Sequence, residues 1–388
     1  MLALHEAADG RLARVRVPGG RLSADALLTL AALSEELGNG LVDLTSRANL
    51  QLRGLAADAG PLLAPRLQDV GLLPSAEHDR VRNVLASPLA GRGPGALDDV
   101  DDVVALLDSE LMASHRARDL PGRFCFLVDD GSGAIRDTGP DVTIVARGAG
   151  RFGLALDGRA VEFEGDGATA ATAATAAAEA FVALRGDAWR LSETPGGPRA
   201  IAETIGLTLA PVTRASRTRG FGPGAIEQRD GRVALTALAP LGQLWPSLLR
   251  ALAAVSDDVR LSTHRTVTLV DLDPAIVDAT RGALAAADLV LDGGSGWVGL
   301  TACAGTAGCP KALADVRAAA ALRARVRAAT DPAEHWAGCE RRCGEMPGTP
   351  VTIAVRAAGD VELRADAGSA ILGSLEGAAE RLLVEAAR

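Results

Sequence analysis

The sequence predicts an internally duplicated α+β fold. Two observations support it: a pattern that recurs in the same order 209 to 222 residues further along, and a strand–turn–helix–strand spacing inside each copy. Leu44-Thr45-Ser46-Arg47-Ala48-Asn49-Leu50-Gln51-Leu52 resembles Leu261-Ser262-Thr263-His264-Arg265-Thr266-Val267-Thr268-Leu269. Pro18-Gly19-Gly20-Arg21-Leu22 resembles Pro240-Leu241-Gly242-Gln243-Leu244. Val142-Thr143-Ile144 with Arg147, Ala149 and Gly150 resembles Val351-Thr352-Ile353 with Arg356, Ala358 and Gly359.

The elements follow in order. Leu12–Val17 and Val233–Leu238 alternate as half-buried strands do. Ser23 and Asp25 suit the first turn of a helix over Ser23–Leu37, which Gly38-Asn39-Gly40 closes. Trp245–Val255 is its counterpart. Gly40–Leu52 and Val259–Leu269 are rich in Thr, Val and Leu and read as β. Each copy then runs into a longer segment ending in a strand pair, Asp141–Leu156 and Pro350–Arg364. Pro195-Gly196-Gly197-Pro198 predicts a linker near Thr194–Arg199. The organisation expected is a half-domain over 1–60, an α+β domain over 75–195, a second half-domain over 205–280 and a second α+β domain over 285–388.

A chain of 388 residues, 48% hydrophobic, can bury more than one core. Its net charge of −9 argues against a general nucleic-acid binder. Longer apolar stretches such as Ala168–Leu184 are alanine-rich, contain Glu179 and lack the bulk of a membrane span. Met1–Gly10 has no apolar signal-peptide core, so a cytoplasmic location without membrane or nucleic-acid partners is expected.

Four of the five cysteines fall between 303 and 343. Cys303 and Cys309 are separated by five residues, Cys339 and Cys343 by three. Four thiolates can hold a [4Fe–4S] cube, one per iron, and Ala304, Gly305, Ala307 and Gly308 would let the backbone wrap closely around it. Zinc also takes four cysteines but favours spacers of two or four residues, and buried cysteines without metal are the blander alternative. Cys125, alone in the strand-like Arg123–Val128, reads as a core residue.

The cysteine spacing resembles the cluster motif of the sirohaem sulfite and nitrite reductases. So do the duplication and the motifs Arg14-Val15-Arg16-Val17-Pro18-Gly19-Gly20, Leu44–Asn49 and Val81-Arg82-Asn83-Val84. The resemblance implies a duplicated sulfite/nitrite reductase-like fold with ferredoxin-like half-domains and a C-terminal iron–sulfur domain. It also implies arginines facing a macrocycle. Within that superfamily the chain resembles the precorrin-3B synthases on three counts: its short length, Gln51-Leu52-Arg53-Gly54-Leu55, and Leu120–Cys125. In that last segment Arg123 keeps one cation, but Cys125 stands where the reductases have a second lysine.

This resemblance implies O2-dependent hydroxylation of precorrin-3A with lactone formation. The cofactors implied are a [4Fe–4S] cluster and a mononuclear non-haem iron. Electrons would come from an external donor, an NADH-linked reductase or a ferredoxin. Resident sirohaem belongs to the alternative, a sulfite or nitrite reductase. Arg14, Arg16, Arg47, Arg82 and Arg123 are then candidate clamps for the macrocycle's carboxylates, because a guanidinium fork makes two parallel charge-assisted bonds. Asn49 shares the face of Arg47, and His264 and Arg265 hold the matching place in the second half. The five histidines show no metal-ligand spacing, so no ligand of a mononuclear iron is assigned.

Overall fold

The computed structural model describes residues 3–135, 138–211, 220–356, 359–365 and 368–386. Ala358, one member of the third repeat correspondence, lies outside them. The described residues form four five-stranded sheets, two pairs related by the duplication.

The first sheet runs Leu4–Ala7, Gly10–Val15, Leu50–Leu55, Val42–Leu44 and then Gln243–Leu244, a strand supplied by the second half. The second runs Gly224–Glu227, Val233–Leu238, Thr266–Leu272, Val259–Leu261 and then Arg21–Leu22, supplied by the first. Each half therefore closes the other's sheet edge, and the donated strands pair antiparallel with Val42–Asp43 and Val259–Arg260. Glycine makes the exchange possible. A Cβ on Gly20 would meet the Leu261 carbonyl oxygen at 2.3 Å, and one on Gly242 would meet that of Leu44 at 2.4 Å; both have positive φ.

Helix Ala24–Leu37, capped by the Ser23 hydroxyl, packs against helix Pro246–Val255. Leu27, Leu30, Leu248, Leu249 and Leu252 meet in one core that belongs to both halves. The half-domains are thus one unit, which neither could form alone without exposing that face. Helix Gly60–Asp69 sends Leu63 and Leu67 into this core, so the first half passes residue 60. Helix Val277–Ala286 adds Leu284, so the second passes 280.

The third sheet orders Val84–Ala86, Phe126–Asp129 and Val142–Gly148 in parallel, followed by antiparallel Arg151–Leu156 and Arg159–Ala160. The fourth repeats this with Leu300–Ala302, Glu334–Ala337, Val351–Val355, Val361–Ala365 and Gly368–Leu372. Helix Gly167–Leu184 is long and apolar enough to cross a membrane by composition alone. Here its alanines pack in the core of the third-sheet domain, against helix Asp101–Ala113. The expected linker at Thr194–Arg199 is instead partly helical. Gly196 takes a left-handed N-cap and Pro198 fits the first turn of helix Gly197–Thr204, whose Ile201 joins the same core.

Candidate functional site

The run Gly40–Leu52, read from sequence as one β segment, is a hairpin, Val42–Leu44 and Leu50–Leu55, joined by a tight turn. The Thr45 hydroxyl accepts the amides of Arg47 and Asn49, and Ala48 is left-handed with φ 51°. The second half repeats it: the Ser262 hydroxyl accepts the His264 amide and Arg265 is left-handed with φ 58°. These two turns project Arg47 and Arg265 toward cavities at the junction of the domains.

The larger cavity, about 680 Å³, lies between the first half-domain, the third-sheet domain and the 341–347 loop. Arg14, Arg16, Arg47, Asn49 and Arg123 all line it, with Cys125, Trp189, Arg190, Arg341 and Cys343. Arg14 and Arg123 are exposed at its rim. Arg16 is buried and donates to the carbonyls of Arg80 at 3.2 Å and Gly122 at 3.4 Å, while its Nε has no partner. Burial, with Arg47 nearby, pushes its pKa down to about 10. Arg47 donates to the Gly122 carbonyl at 3.3 Å, and burial lowers its pKa as well. Two desolvated guanidiniums, Arg16 and Arg47, with exposed arginines at the rim, make a site that favours a polyanion.

The structure separates two candidates from this group. Arg82 does not line the cavity; its fork closes on Asp108 through two bonds of 2.7 Å. Asn49 lies on the wall, but its amide is spent internally, accepting Val17 N at 3.0 Å and donating to Asn83 at 2.8 Å. Asn49 thereby ties the Arg47 turn to the strand end after Arg16, and Arg82 ties its own loop to helix Asp101–Ala113. His264 and Arg265 face a different, mostly apolar cavity of about 290 Å³. Cys125 is in the core, as expected, yet also forms cavity wall. Burial pushes its thiol up to about 11, so it stays neutral at physiological pH.

Sequence reasoning missed Trp189, Arg190, Arg341 and Arg342. Trp189 is 53% exposed on the cavity wall, and Arg190 is held by Asp141 at 2.9 Å. Arg341 and Arg342 sit between Cys339 and Cys343, a doublet of charges inside a ligand motif that could have been flagged.

All four C-terminal cysteines are free thiols. Cys343 is pushed above its ordinary value by burial and then by the thiols of Cys339, Cys303 and Cys309, which makes the four electrostatic neighbours. Among the described residues no three His, Cys, Asp or Glu side chains form a closed metal-binding group, so the thiols are adjacent rather than caged. The surroundings nonetheless suit a thiolate-bound cluster. The amides of Gly338 and Gly305 point at Cys303 Sγ, at 3.2 and 3.5 Å. Arg265, buried with Nη1 unpartnered, lines a cavity of about 220 Å³ with Cys303 and Cys343. Two guanidiniums fasten the loop to the first half: Arg317 joins the Cys303 carbonyl to Asp43, and Arg53 joins the Gly308 carbonyl to Asp9.

This duplicated architecture is the sulfite/nitrite reductase fold. The described chain superposes on the NirA protein of Mycobacterium tuberculosis with a TM-score of 0.78, covering 95% of this chain and 79% of that one at 20% identity. Residues 5–70 match the nitrite/sulfite reductase ferredoxin-like half-domain family. Among curated relatives, the ferredoxin–nitrite reductase of Synechococcus elongatus is 34% identical over 31% of this chain and 25% of its own length. A precorrin-3B synthase from Sinorhizobium is 32% identical over 38% of this chain and 27% of its own. A ferredoxin-dependent sulfite reductase of M. tuberculosis is 43% identical over 23% and 16%. The matched segments thus span about a quarter or less of these relatives. The chain resembles oxidoreductases of this superfamily, with a precorrin-3B synthase among them.

Proposed function

We propose that the chain is a precorrin-3B synthase-like monooxygenase: it binds precorrin-3A in the arginine-lined cavity and, with O2 and electrons from an external donor, hydroxylates the macrocycle and closes a lactone. Cys303, Cys309, Cys339 and Cys343 would hold a [4Fe–4S] cluster, which when bound supplies single electrons. Arg14, Arg16, Arg47 and Arg123, with Arg341, would bind the acetate and propionate groups. Trp189 offers a flat apolar surface to the macrocycle.

The observation that carries this reading is the neutral Cys125 thiol in the cavity wall. Six-electron reduction of an oxyanion needs repeated proton delivery. Among the described residues lining the cavity there is no lysine or histidine, and Glu345 is tied to Thr352 and Arg364. A hydroxylation with O2 asks less of the wall, because its main task is to orient an anionic substrate.

The second reading, a sirohaem sulfite or nitrite reductase, is favoured by the identities to those enzymes. Anaerobic purification with iron, acid-labile sulfide and tetrapyrrole analysis, followed by separate assays, divides the two. The monooxygenase reading expects cluster iron, no sirohaem, and O2-dependent turnover of precorrin-3A. Bound sirohaem with sulfite or nitrite consumption, and no turnover of precorrin-3A, would replace it.

A further inference from the structure

We propose that Arg265 is the buried counter-charge of the cysteine-held cluster and raises its reduction potential. This rests on the reading that the four cysteines hold [4Fe–4S].

The position is unusual. Arg265 occupies the left-handed residue of the turn Ser262–Arg265, where the first half has Ala48. A left-handed backbone is uncommon for a long side chain and is kept only where the surroundings enforce it. The residue is 5% exposed, and its Nη1 is buried without a hydrogen-bond partner. The nearby carboxylate, Asp43, is already engaged by Arg317 at 3.0 Å and Arg53 at 3.4 Å. Burial and the repulsion of Arg317 push the pKa of Arg265 down to about 10, with Asp43 only partly opposing. The guanidinium is still charged at neutral pH, and leaving it unpaired is costly. Its site calls for an anion.

The geometry identifies which one. Arg265 does not line the large carboxylate cavity. It lines the small cavity shared by Cys303 and Cys343, and a Cβ on Gly344, the residue after Cys343, would lie 3.3 Å from its Nη2. A cube held by four thiolates carries net negative charge, and accepting one electron adds to it. A fixed cation alongside stabilises the reduced form more than the oxidised form.

The test is a redox titration of the full-length chain, loaded with iron and sulfide and followed by the electron-paramagnetic-resonance signal of the reduced cluster. The variants are Arg265→Met and Arg265→Lys. The methionine variant should keep full iron and sulfide and titrate at a more negative potential; the lysine variant should stay near the parent. If the methionine variant fails to load while the lysine variant loads at the parental potential, the charge is still what the cluster requires. An unchanged potential in a fully loaded Arg265→Met protein would overturn the proposal, as would failure of both variants to load, since the charge would then not be the deciding property. A parental potential combined with weaker binding of uroporphyrin III would assign Arg265 to the tetrapyrrole instead. Absence of a cluster in the parent chain sinks the cluster reading itself, a result distinct from all of these.

Discussion

Arg53 Nη2 lies 2.6 Å from the carbonyl oxygen of Gly308, so a strand of the first half-domain holds the loop between Cys303 and Cys309 across 255 residues of chain. The same guanidinium closes on Asp9 and reaches Asp43. The cysteine loop is therefore positioned by the opposite half of the molecule. The duplication thus has a structural consequence: Cys303 and Cys309 lie near the C-terminus, but the loop between them is held by residue 53.

Arg53→Ala should cost about 3 kcal/mol, because it leaves the mostly buried Asp9 without its cation, while Asp43 keeps Arg317 at 3.0 Å. Urea unfolding should register this, and iron bound per chain after reconstitution should fall. Unchanged iron content at reduced stability would show that the Cys303–Cys309 loop keeps its shape without Arg53.

The strand exchange predicts matched effects from Gly20→Ala and Gly242→Ala. Each new methyl meets a carbonyl oxygen of the other half, and each backbone is left-handed. Losses of about 2–3 kcal/mol at both positions are expected in denaturant unfolding. A loss at only one would mean that one half can move to relieve the clash and the other cannot.

Much of this architecture was legible in the sequence, for identifiable reasons. The Thr45 and Ser262 turns recur because each needs a hydroxyl to accept amides two residues on, and such a requirement survives divergence. The strands Gly10–Val15 and Val233–Leu238 carry enough alternation to be seen. The exchanged strands Arg21–Leu22 and Gln243–Leu244 do not, because two residues have no period; only the pairing partner defines them. The helical start at Gly197 is masked in the sequence because Gly and Pro break most elements, yet Pro198 in the first turn is compatible with a helix. In the site, residue type showed which groups could bind an anion but not which were already occupied. Arg47 and Arg82 look alike in sequence; Asp108, 26 residues further on, separates them.

Cysteine chemistry separates in the same way. At pH 8 iodoacetamide should alkylate Cys303, Cys309, Cys339 and Cys343 in the apo chain within a period that leaves Cys125 intact. Cys125 is buried and its pKa is about 11, which leaves little thiolate. Peptide mass spectrometry reads the outcome, and rapid labelling of Cys125 would remove it as a neutral wall of the cavity.

The domain junction predicts a pH dependence. Burial opposes ionisation of Asp101, but the Arg260 fork, bound through two contacts of 2.7 Å, outweighs it and holds the carboxyl below its ordinary value. The folded pKa is therefore below the unfolded one. The associated stability is complete above the unfolded value, near pH 4, and is lost as pH falls through the folded value. Asp101→Asn should lower stability at pH 7 by about 2–3 kcal/mol and make its decline below about pH 4 shallower than in the parent. Urea midpoints over that range test the sign; parallel curves would locate the acid sensitivity elsewhere.

The arginine clamps give the sharpest contrast, because two residues of one type should fail differently. Arg47 lines the cavity and spends one donor on the Gly122 carbonyl, leaving the rest of its fork for a ligand. Arg82 spends its fork on Asp108 and does not line the cavity. Arg47→Ala should weaken uroporphyrin III binding by about 1.5–3 kcal/mol, less where water replaces the lost contact, and change unfolding little. Arg82→Ala should leave that affinity nearly unchanged but destabilise the chain by about 3 kcal/mol, because Asp108 is left mostly buried and unpaired. Calorimetric titration and urea unfolding on both variants measure the two effects separately. If Arg82→Ala lost affinity at unchanged stability, the carboxylate site would have to extend behind the Asp108 pair. If Arg47→Ala kept full affinity, the polyanion would be held by the rim residues Arg14 and Arg123 instead.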